Sequence, residues 1–214
     1  MTELVSAAFG AGVDRANRFA ELLAVHGVER GLIGPREVDR LWDRHLLNSV
    51  AVSEFLPEGA SVVDVGSGAG LPGIPLAIAR PDLDVVLLEP MARRVAWLEE
   101  AVAKLDLSNV TVVRGRAEEK AIRQQIGDRD VATARAVAPL GKLAGWCLPL
   151  VRVGGSLVAL KGSSAAEEID RDRAEIARAG GVEPVVKTSG LLDEPVTVVV
   201  VRRAEPAGRP RKRR

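Results

Sequence analysis

The spacing of apolar residues divides the chain into two parts. In the first part, apolar residues such as Phe19 and Leu23 recur at helical spacing, and a stretch at 27–34 with glycine at both ends interrupts them. A second helix is predicted to begin at Pro35, because proline suits a first helical position. The pattern therefore predicts a helical N-terminal extension over residues 1–56.

From residue 61 onward, short β-branched runs alternate with helical stretches. The predicted strands are Ser61–Val65, Asp84–Leu88, Val110–Val113, Asp130–Ala134 and Ser156–Leu160. The helices predicted between and after them are Ile74–Arg80, Met91–Leu105, Ala117–Ile126, Leu140–Leu150 and Ala165–Ala179. Because alternation of this kind builds right-handed βαβ units, it predicts a parallel sheet with helices on both faces.

Two further strand-like runs, Glu183–Lys187 and Val196–Val201, end the pattern. Only residues 188–195 separate them, and such a loop is too short for a crossover helix. We therefore expect these two strands to form a hairpin. Residues 57–203 thus predict one α/β domain with a mostly parallel seven-stranded sheet that contains one antiparallel strand.

The composition fits such a domain and excludes several classes of protein. The chain has 214 residues, 47% hydrophobic and 28% charged, and no apolar run near the roughly 20 residues that span a bilayer. Its N-terminus lacks the pattern of a secretory signal, and the single thiol, Cys147, cannot form an internal disulfide. We therefore expect a cytoplasmic protein without a membrane span, and we expect it to be a monomer.

The net charge of +1 hides an uneven distribution. Residues 202–214 hold seven basic side chains and one acid, whereas residues 1–201 hold 23 basic and 28 acidic side chains. Residues 204–214 are predicted to form a disordered basic tail. This tail is either merely solvated or a sequence-independent contact to the phosphates of a nucleic acid.

A glycine-rich turn follows the first predicted strand, where a doubly wound sheet binds nucleotides. Leu71 stands where the dinucleotide fingerprint requires its third glycine, and Asp64 precedes the first glycine by two residues. A carboxylate there would repel a diphosphate, whereas it suits an ammonium group such as that of S-adenosylmethionine. The candidate cofactor residues of this turn are Asp64, Gly66, Ser67, Gly68, Gly70 and Leu71.

Glu89 ends the second strand, at the distance along the chain where an acid can accept hydrogen bonds from a ribose diol. This residue fits both a methyl donor and a nicotinamide cofactor, and it could also be an ordinary surface acid. The choice of a methyl donor therefore depends on the Asp64 turn.

Several spaced motifs together resemble one known family. They are Val63–Leu76 with its Gly-Leu-Pro-Gly-Ile-Pro half, Arg44–Ser49, Leu87–Glu89, Arg116–Glu119, Ala134–Ala136 and Leu160–Gly162. In their order along the chain, these motifs resemble the RsmG (GidB) family of small-subunit ribosomal RNA guanine-N7 methyltransferases. The resemblance implies a Rossmann-like class I methyltransferase fold, S-adenosylmethionine as cofactor, and ribosomal RNA or the small ribosomal subunit as partner.

The resemblance also implies roles for individual residues. Gly66 and Leu71 would line the cofactor pocket, Ala117 and Glu118 would lie beside the adenine, and Arg135 would lie between cofactor and target base. Arg116 and Lys161 match the family's other active-site cations, and His45 is a candidate for the mouth of the site. The chain departs from many members at Gly31–Ile33 and at Ala134, which puts in question the contacts of the first helix–helix loop.

Topology alone also places Arg116, Arg135 and Lys161 at the ends of three successive strands. Loop cations are often only solvated, but three of them at one sheet edge favour binding of RNA phosphate and of the edge of a base. Arg93 and Arg94 could be either a solvated helix start or a phosphate contact. No metal-binding motif is present, so we expect no metal.

Guanine N7 has a free lone pair and no proton, so its methylation needs positioning and no general base. The sequence lacks an Asn-Pro-Pro-aromatic loop for amino-nitrogen methylation, and Cys147 lies in an apolar stretch typical of a core residue. These absences agree with the reaction that the resemblance implies, transfer of a methyl group to N7 of a guanine in 16S ribosomal RNA. Because extrusion of a base costs least where the base is unpaired, we expect a loop guanine as the target. The alternatives are a small-molecule methyltransferase with a closed apolar pocket, a nicotinamide oxidoreductase, and a cofactor-binding scaffold without activity.

Removal of residues 204–214 should weaken RNA binding and flatten its salt dependence. Each lost phosphate contact should make the negative slope of log K against log salt shallower by about 0.7–0.9. Fluorescence anisotropy with a labelled ribosomal RNA fragment at several salt concentrations measures both effects. An unchanged slope would mean that the tail does not contact RNA.

Overall fold

A single mixed sheet organises the molecule. The structure is a computed structural model that describes residues 2–135, 138–192 and 195–204. The sheet has seven strands in the order β3-β2-β1-β4-β5-β7-β6. The strands are β1 (Ser61–Val65), β2 (Asp84–Glu89), β3 (Val110–Arg114), β4 (Arg129–Arg135), β5 (Val151–Leu160), β6 (Gly181–Ser189) and β7 (Val196–Arg203).

Eight α-helices accompany the strands in the described ranges. They are α1 (Thr2–Phe9), α2 (Val13–His26), α3 (Asn48–Val50), α4 (Gly73–Ala79), α5 (Ala92–Lys104), α6 (Lys120–Ile126), α7 (Leu140–Cys147) and α8 (Ala165–Arg178). Two apolar cores lie on the two faces of the sheet. One contains α2, α4 and α5, and the other contains α6, α7 and α8, so helices cover both faces as the alternation predicts.

The pairing of the last two strands confirms the predicted hairpin. Strand β7 is antiparallel to both β5 and β6, whereas β1 to β5 pair with one another in parallel. The mostly parallel sheet of seven strands with one antiparallel strand is therefore confirmed. Among the described residues, no helix is long and apolar enough to cross a membrane.

The helix predicted from Pro35 is only partly correct. Pro35–Arg40 is a 3₁₀-helix, Leu41–Leu47 is a π-helix, and Ala51–Phe55 is 3₁₀ again. Apolar spacing does not distinguish a 3₁₀- or π-helix from an α-helix, because each of the three helix types packs one side against the core. The wide π segment also leaves carbonyl groups that side chains satisfy, as described below.

The N-terminal segment shares its core with the sheet. Phe19, Leu23 and Leu46 are fully buried in the same apolar cluster as Val62 of β1 and Leu76 of α4. The extension therefore lies on one face of the sheet and brings its Pro35–Phe55 region to the edge where the parallel strands end. This placement decides which residues surround the glycine turn.

Candidate functional site

The glycine turn after β1 is held by several backbone hydrogen bonds. Gly66 N and Ser67 N both donate to Leu88 O, at 2.8 and 3.2 Å, and Ser67 Oγ donates to Asp64 O at 2.9 Å. Gly66, Gly68 and Gly70 have φ values of 75°, 55° and 98°, which side chains larger than glycine rarely adopt. The sequence folds into a turn here because these glycines alternate with short residues directly after a buried strand.

Glu89 closes the turn from the next strand. Its Oε2 accepts a hydrogen bond from Gly68 N at 2.9 Å, and its Oε1 accepts one from Met91 N at 3.0 Å. The residue is almost fully buried, and Arg94 Nη1 lies 4.0 Å from Oε2. A carboxylate has about four acceptor positions, so Glu89 retains capacity for further donors such as ribose hydroxyls.

Asp64 is fully buried beneath the turn. Its Oδ2 accepts Gly73 N at 3.1 Å, whereas Oδ1 has no hydrogen-bond partner among the described residues. Burial raises the pKa of Asp64 to about 7, and the bond from Gly73 and the charge of Arg135 only partly offset that burial. Thr133 Oγ1, on the neighbouring β4, is also buried and has no partner in the part of the chain that the structure describes. Both oxygens therefore retain unused acceptor capacity beneath the turn.

Three cavities follow one another along this edge of the sheet. The smallest, about 160 Å³, lies beside Gly66 and extends to the β3–α6 turn. Its lining residues include Val65, Gly66, Leu88, Arg116, Ala117, Glu118 and Trp146. Buried Ala117 and the Trp146 ring give it the apolar, flat character that suits an adenine ring.

The second and third cavities share their wall. The second, about 310 Å³, lies between the glycine turn and the loop Leu32–Gly34, and Gly66 links it to the first. The third, about 710 Å³, is larger, and its lining includes Arg44, Lys161 and Glu168. Glu37, His45 and Arg135 line both the second and the third cavity. These three side chains therefore separate the two spaces.

Arg135 is the last residue of β4, and its side chain forms part of the wall between the second and third cavities. Its Nη1 donates to Arg44 O at 3.1 Å, and its Nη2 donates to His45 Nδ1. Burial lowers the pKa of Arg135, but its ordinary value is so high that the guanidinium remains charged at neutral pH. The side chain thus presents a fixed positive charge beside Asp64 and the large cavity.

Lys161 also lines the large cavity, but other residues of the protein hold its ammonium group. Its Nζ donates to Glu168 Oε2 at 2.7 Å and to Ala138 O at 3.0 Å, and its side chain is only 10% exposed. Glu168 also accepts Leu140 N at 3.0 Å, at the start of α7. Lys161 is therefore part of a buried ion pair that also caps α7.

The structure brings some of the predicted residues together and separates others. Asp64, Glu89 and the turn from Gly66 to Leu71 form one unit, with Arg135 beside it. Arg135 and Lys161 line the same cavity, whereas exposed Arg116 lines the small one with Ala117 and Glu118. Asp64 itself lines none of the three cavities, since the turn covers it. Its contact with an ammonium group stays a prediction.

The structure adds Glu37, Trp97 and Glu168 to the residues that the sequence predicts for the site. Glu37 Oε2 lies 2.8 Å from His45 Nε2, and Trp97 Nε1 donates to Ala69 O of the glycine turn at 3.0 Å. No motif spacing identifies Glu37, because its contact with His45 crosses from the 3₁₀ to the π segment. Glu168 is one of two adjacent acids in the first turn of α8, a pattern typical of a solvated helix face, yet it pairs with Lys161.

Two other expectations concern reactive groups. Cys147 is fully buried in α7 and burial raises the pKa of its thiol, so it is a core residue, as predicted. Arg93 is exposed, whereas Arg94 lines the second cavity near Gly68. No group of three or more metal-binding side chains occurs within residues 2–135, 138–192 and 195–204.

Comparison with known proteins relates the chain to one family. A family model described as GidB, rRNA small subunit methyltransferase G, matches residues 13–195. The ribosomal RNA small subunit methyltransferase G of Corynebacterium efficiens is 58% identical over 197 residues, which cover 91% of this chain and 85% of that protein. The protein of the same name from Mycolicibacterium paratuberculosis is 56% identical over 206 residues, which cover 95% and 83%.

A solved structure gives an independent comparison of the fold. Aeropyrum pernix fibrillarin, with natively bound S-adenosyl-L-methionine, matches with a TM-score of 0.55 at 18% identity and covers 74% of each chain. At this identity the likeness shows the fold alone. The Rossmann-like methyltransferase fold that the sequence predicts is thereby confirmed.

The stability of Asp64→Asn relative to the wild type should rise as the pH rises from 4 to 8. The folded protein binds the Asp64 proton more tightly than the unfolded chain, so wild-type stability falls as pH rises towards the folded pKa of about 7, by roughly 4 kcal/mol at most. Chemical denaturation at several pH values measures this difference in the free energy of unfolding.

Asp172→Asn is the matched control, because the hydrogen bond from Arg171 lowers the pKa of that acid. Its carboxylate stabilises the fold above its unfolded pKa, so this variant should lose stability relative to the wild type as pH rises. A pH-independent difference for Asp64→Asn would contradict the buried-acid interpretation.

Proposed function

Since the chain belongs to the GidB family, described as rRNA small subunit methyltransferase G, we propose that it transfers a methyl group from S-adenosylmethionine to N7 of a loop guanine in 16S ribosomal RNA. Arg135 is the residue that supports this most directly. It lies in the wall between the cavity at the glycine turn and the large cation-bearing cavity. A group there can contact a cofactor and a target base at once.

The residues around the glycine turn fit S-adenosylmethionine. The adenine would occupy the small cavity at Ala117, and the ribose would lie at Glu89. Asp64 Oδ1 and Thr133 Oγ1 are the unpartnered oxygens that suit an ammonium group. Gly73 is required beside them, because a Cβ at this residue would lie 2.8 Å from Asp64 Oδ2 and 2.3 Å from Leu87 Cδ2. The cofactor supplies an activated methyl group.

The chain's own residues then have to position the acceptor. Guanine N7 has a lone pair and no proton, so no side chain has to remove a proton. Arg135 would donate planar hydrogen bonds to the acceptor edge of the guanine, which presents N7 and O6. Alignment of two bound reactants can supply roughly 7–11 kcal/mol of the barrier, which suits a site without a general base.

The large cavity favours RNA over a small molecule as substrate. A small-molecule methyltransferase would close an apolar pocket over the methyl group, whereas Arg44, Arg135 and Lys161 all line this 710 Å³ cavity. Arg44 is exposed and faces solvent, so it is available to a phosphate. Lys161 would act mainly by fixing α7 and the cavity wall.

We extend the proposal to partners and location. The substrate would be ribosomal RNA, either free or in the small ribosomal subunit, and the protein would act as a monomer in the cytoplasm. The predicted basic tail supports a phosphate contact by its charge, although its residues from 205 onward lie outside the described residues. Ala136 of the Arg135 motif also lies outside them.

Asp64→Asn should weaken binding of S-adenosylhomocysteine by roughly tenfold or more, because a charge-assisted contact contributes about 1.5–3 kcal/mol. Binding of methylthioadenosine, which lacks the amino-acid part, should change less than about twofold on the same scale. Titration calorimetry with both ligands measures this. Equal losses for both ligands would show that Asp64 only braces the turn.

Arg135→Ala should lower methyl transfer at least about a hundredfold while the protein stays folded, as expected for loss of a group that positions the acceptor. Tritium transfer from labelled S-adenosylmethionine to ribosomal RNA measures the rate, and mapping of N7-methylated guanines checks the product. Arg173→Ala, which removes an exposed cation on α8, is the control and should keep full activity. Full activity of Arg135→Ala would refute the assignment.

A further inference from the structure

Arg135 is held at the cavity wall by a series of side-chain contacts. Its Nη2 donates to His45 Nδ1, and His45 Nε2 lies 2.8 Å from Glu37 Oε2. Glu37 Oε1 in turn lies 3.5 Å from Arg44 Nη1. Three residues of the N-terminal extension therefore surround one residue of the sheet.

The donors fix the protonation state of the His45 ring. A guanidinium only donates hydrogen bonds, so His45 Nδ1 has to accept. The neutral ring then bears its proton on Nε2, which donates to the Glu37 carboxylate. Glu37 thus selects the tautomer that can accept from Arg135.

The surroundings keep His45 neutral. The residue is 8% exposed, and burial followed by the charge of Arg135 lowers its pKa below the ordinary value. The charged groups that face it are Glu37 and Arg44 from its own segment and Arg135 from β4, with Asp64 beyond Arg135. Of these, Glu37 alone raises the pKa of His45 directly.

The π-helix places this ring where it can meet Arg135. Within Leu41–Leu47, Arg44 O accepts from Arg135 Nη1 and His45 O accepts from Ser49 Oγ at 2.5 Å. Both carbonyl groups therefore find side-chain donors, which compensates for the irregular wind. π segments of this kind are frequent at functional sites.

We propose that His45 and Glu37 are positioning residues that hold the Arg135 guanidinium between the cofactor cavity and the acceptor cavity. This inference rests on the proposed function. Protonation of His45 would turn Nδ1 into a donor that faces a cation, so the ring would release Arg135. Methyl transfer should therefore need neutral His45, even though His45 contacts neither the methyl group nor N7.

Two substitutions of His45 separate positioning from mere packing. In His45→Asn the amide oxygen can take the place of Nδ1 and accept from Arg135, whereas in His45→Gln it lies nearer the place of Nε2. We expect kcat of His45→Asn within about threefold of the wild type and kcat of His45→Gln lower by roughly tenfold to a hundredfold, with a KM for RNA that changes little. Equal losses in both variants would overturn the proposal.

The pH dependence of kcat distinguishes positioning from packing, because a side chain that only packs would not change it. At saturating S-adenosylmethionine, the wild-type kcat should fall on the acidic side as His45 gains a proton, and His45→Asn should lack this decline. His26→Asn, which changes the other of the protein's two histidines, should keep the acidic decline. If His45→Asn keeps the decline, another group such as Asp64 causes it and the proposal is wrong.

An NMR measurement of the His45 tautomer tests the positioning role without an assay of methyl transfer. In the ¹⁵N spectrum of the imidazole rings, assigned with His26→Asn, neutral His45 should be the Nε2–H tautomer. Arg135→Ala should raise the pKa of His45 and Glu37→Gln should lower it. If wild-type protein transfers no methyl group, the proposed function fails, and a His45 ring in the Nδ1–H form would overturn the positioning role itself.

Discussion

The parallel pairing of β1 with β4 determines where the functional groups meet. Asp64 pairs with Thr133 across the two strands, and Arg135 follows two residues later on the same face of β4. The glycine turn and Arg135 therefore lie next to each other at the edge where the parallel strands end. Because every parallel strand here ends at that edge, Glu89 and the β3–α6 turn with Ala117 lie at it as well. The cavities follow from this register.

Burial of Asp64 gives the site its electrostatic character. A carboxylate with a full set of donors would have a low pKa and no further binding capacity. Asp64 instead receives one backbone N–H, and its Oδ1 has no partner within the described ranges of the chain. Arg135 is the nearby cation that offsets part of this cost. The protein thus keeps an acidic side chain and a cation a short distance apart, one beneath the turn and one in the cavity wall.

The N-terminal extension belongs to the site and not only to the scaffold. Trp97 of α5 connects the two, since its Nε1 holds Ala69 of the glycine turn while Arg30 lies 5.4 Å above its ring. Arg30 also pairs with Glu100 at 2.7 Å. The loop Leu32–Gly34 then forms one wall of the second cavity, and Glu37 with His45 forms the next. Loss of packing in the extension would therefore open the site.

The sequence by itself determined the features that depend on neighbours along the chain. The alternation of strands and helices, the turn from Asp64 to Leu71 and the acid at Glu89 are local, because side-chain period and turn chemistry act over a few residues. Only the tertiary structure decided how distant segments meet. It placed Arg116 apart from Arg135, paired Lys161 with Glu168, and wound Leu41–Leu47 as a π-helix. The reason is that each of these outcomes depends on partners from other elements: the Arg44 carbonyl accepts from Arg135, 91 residues away, and no local pattern encodes such a contact.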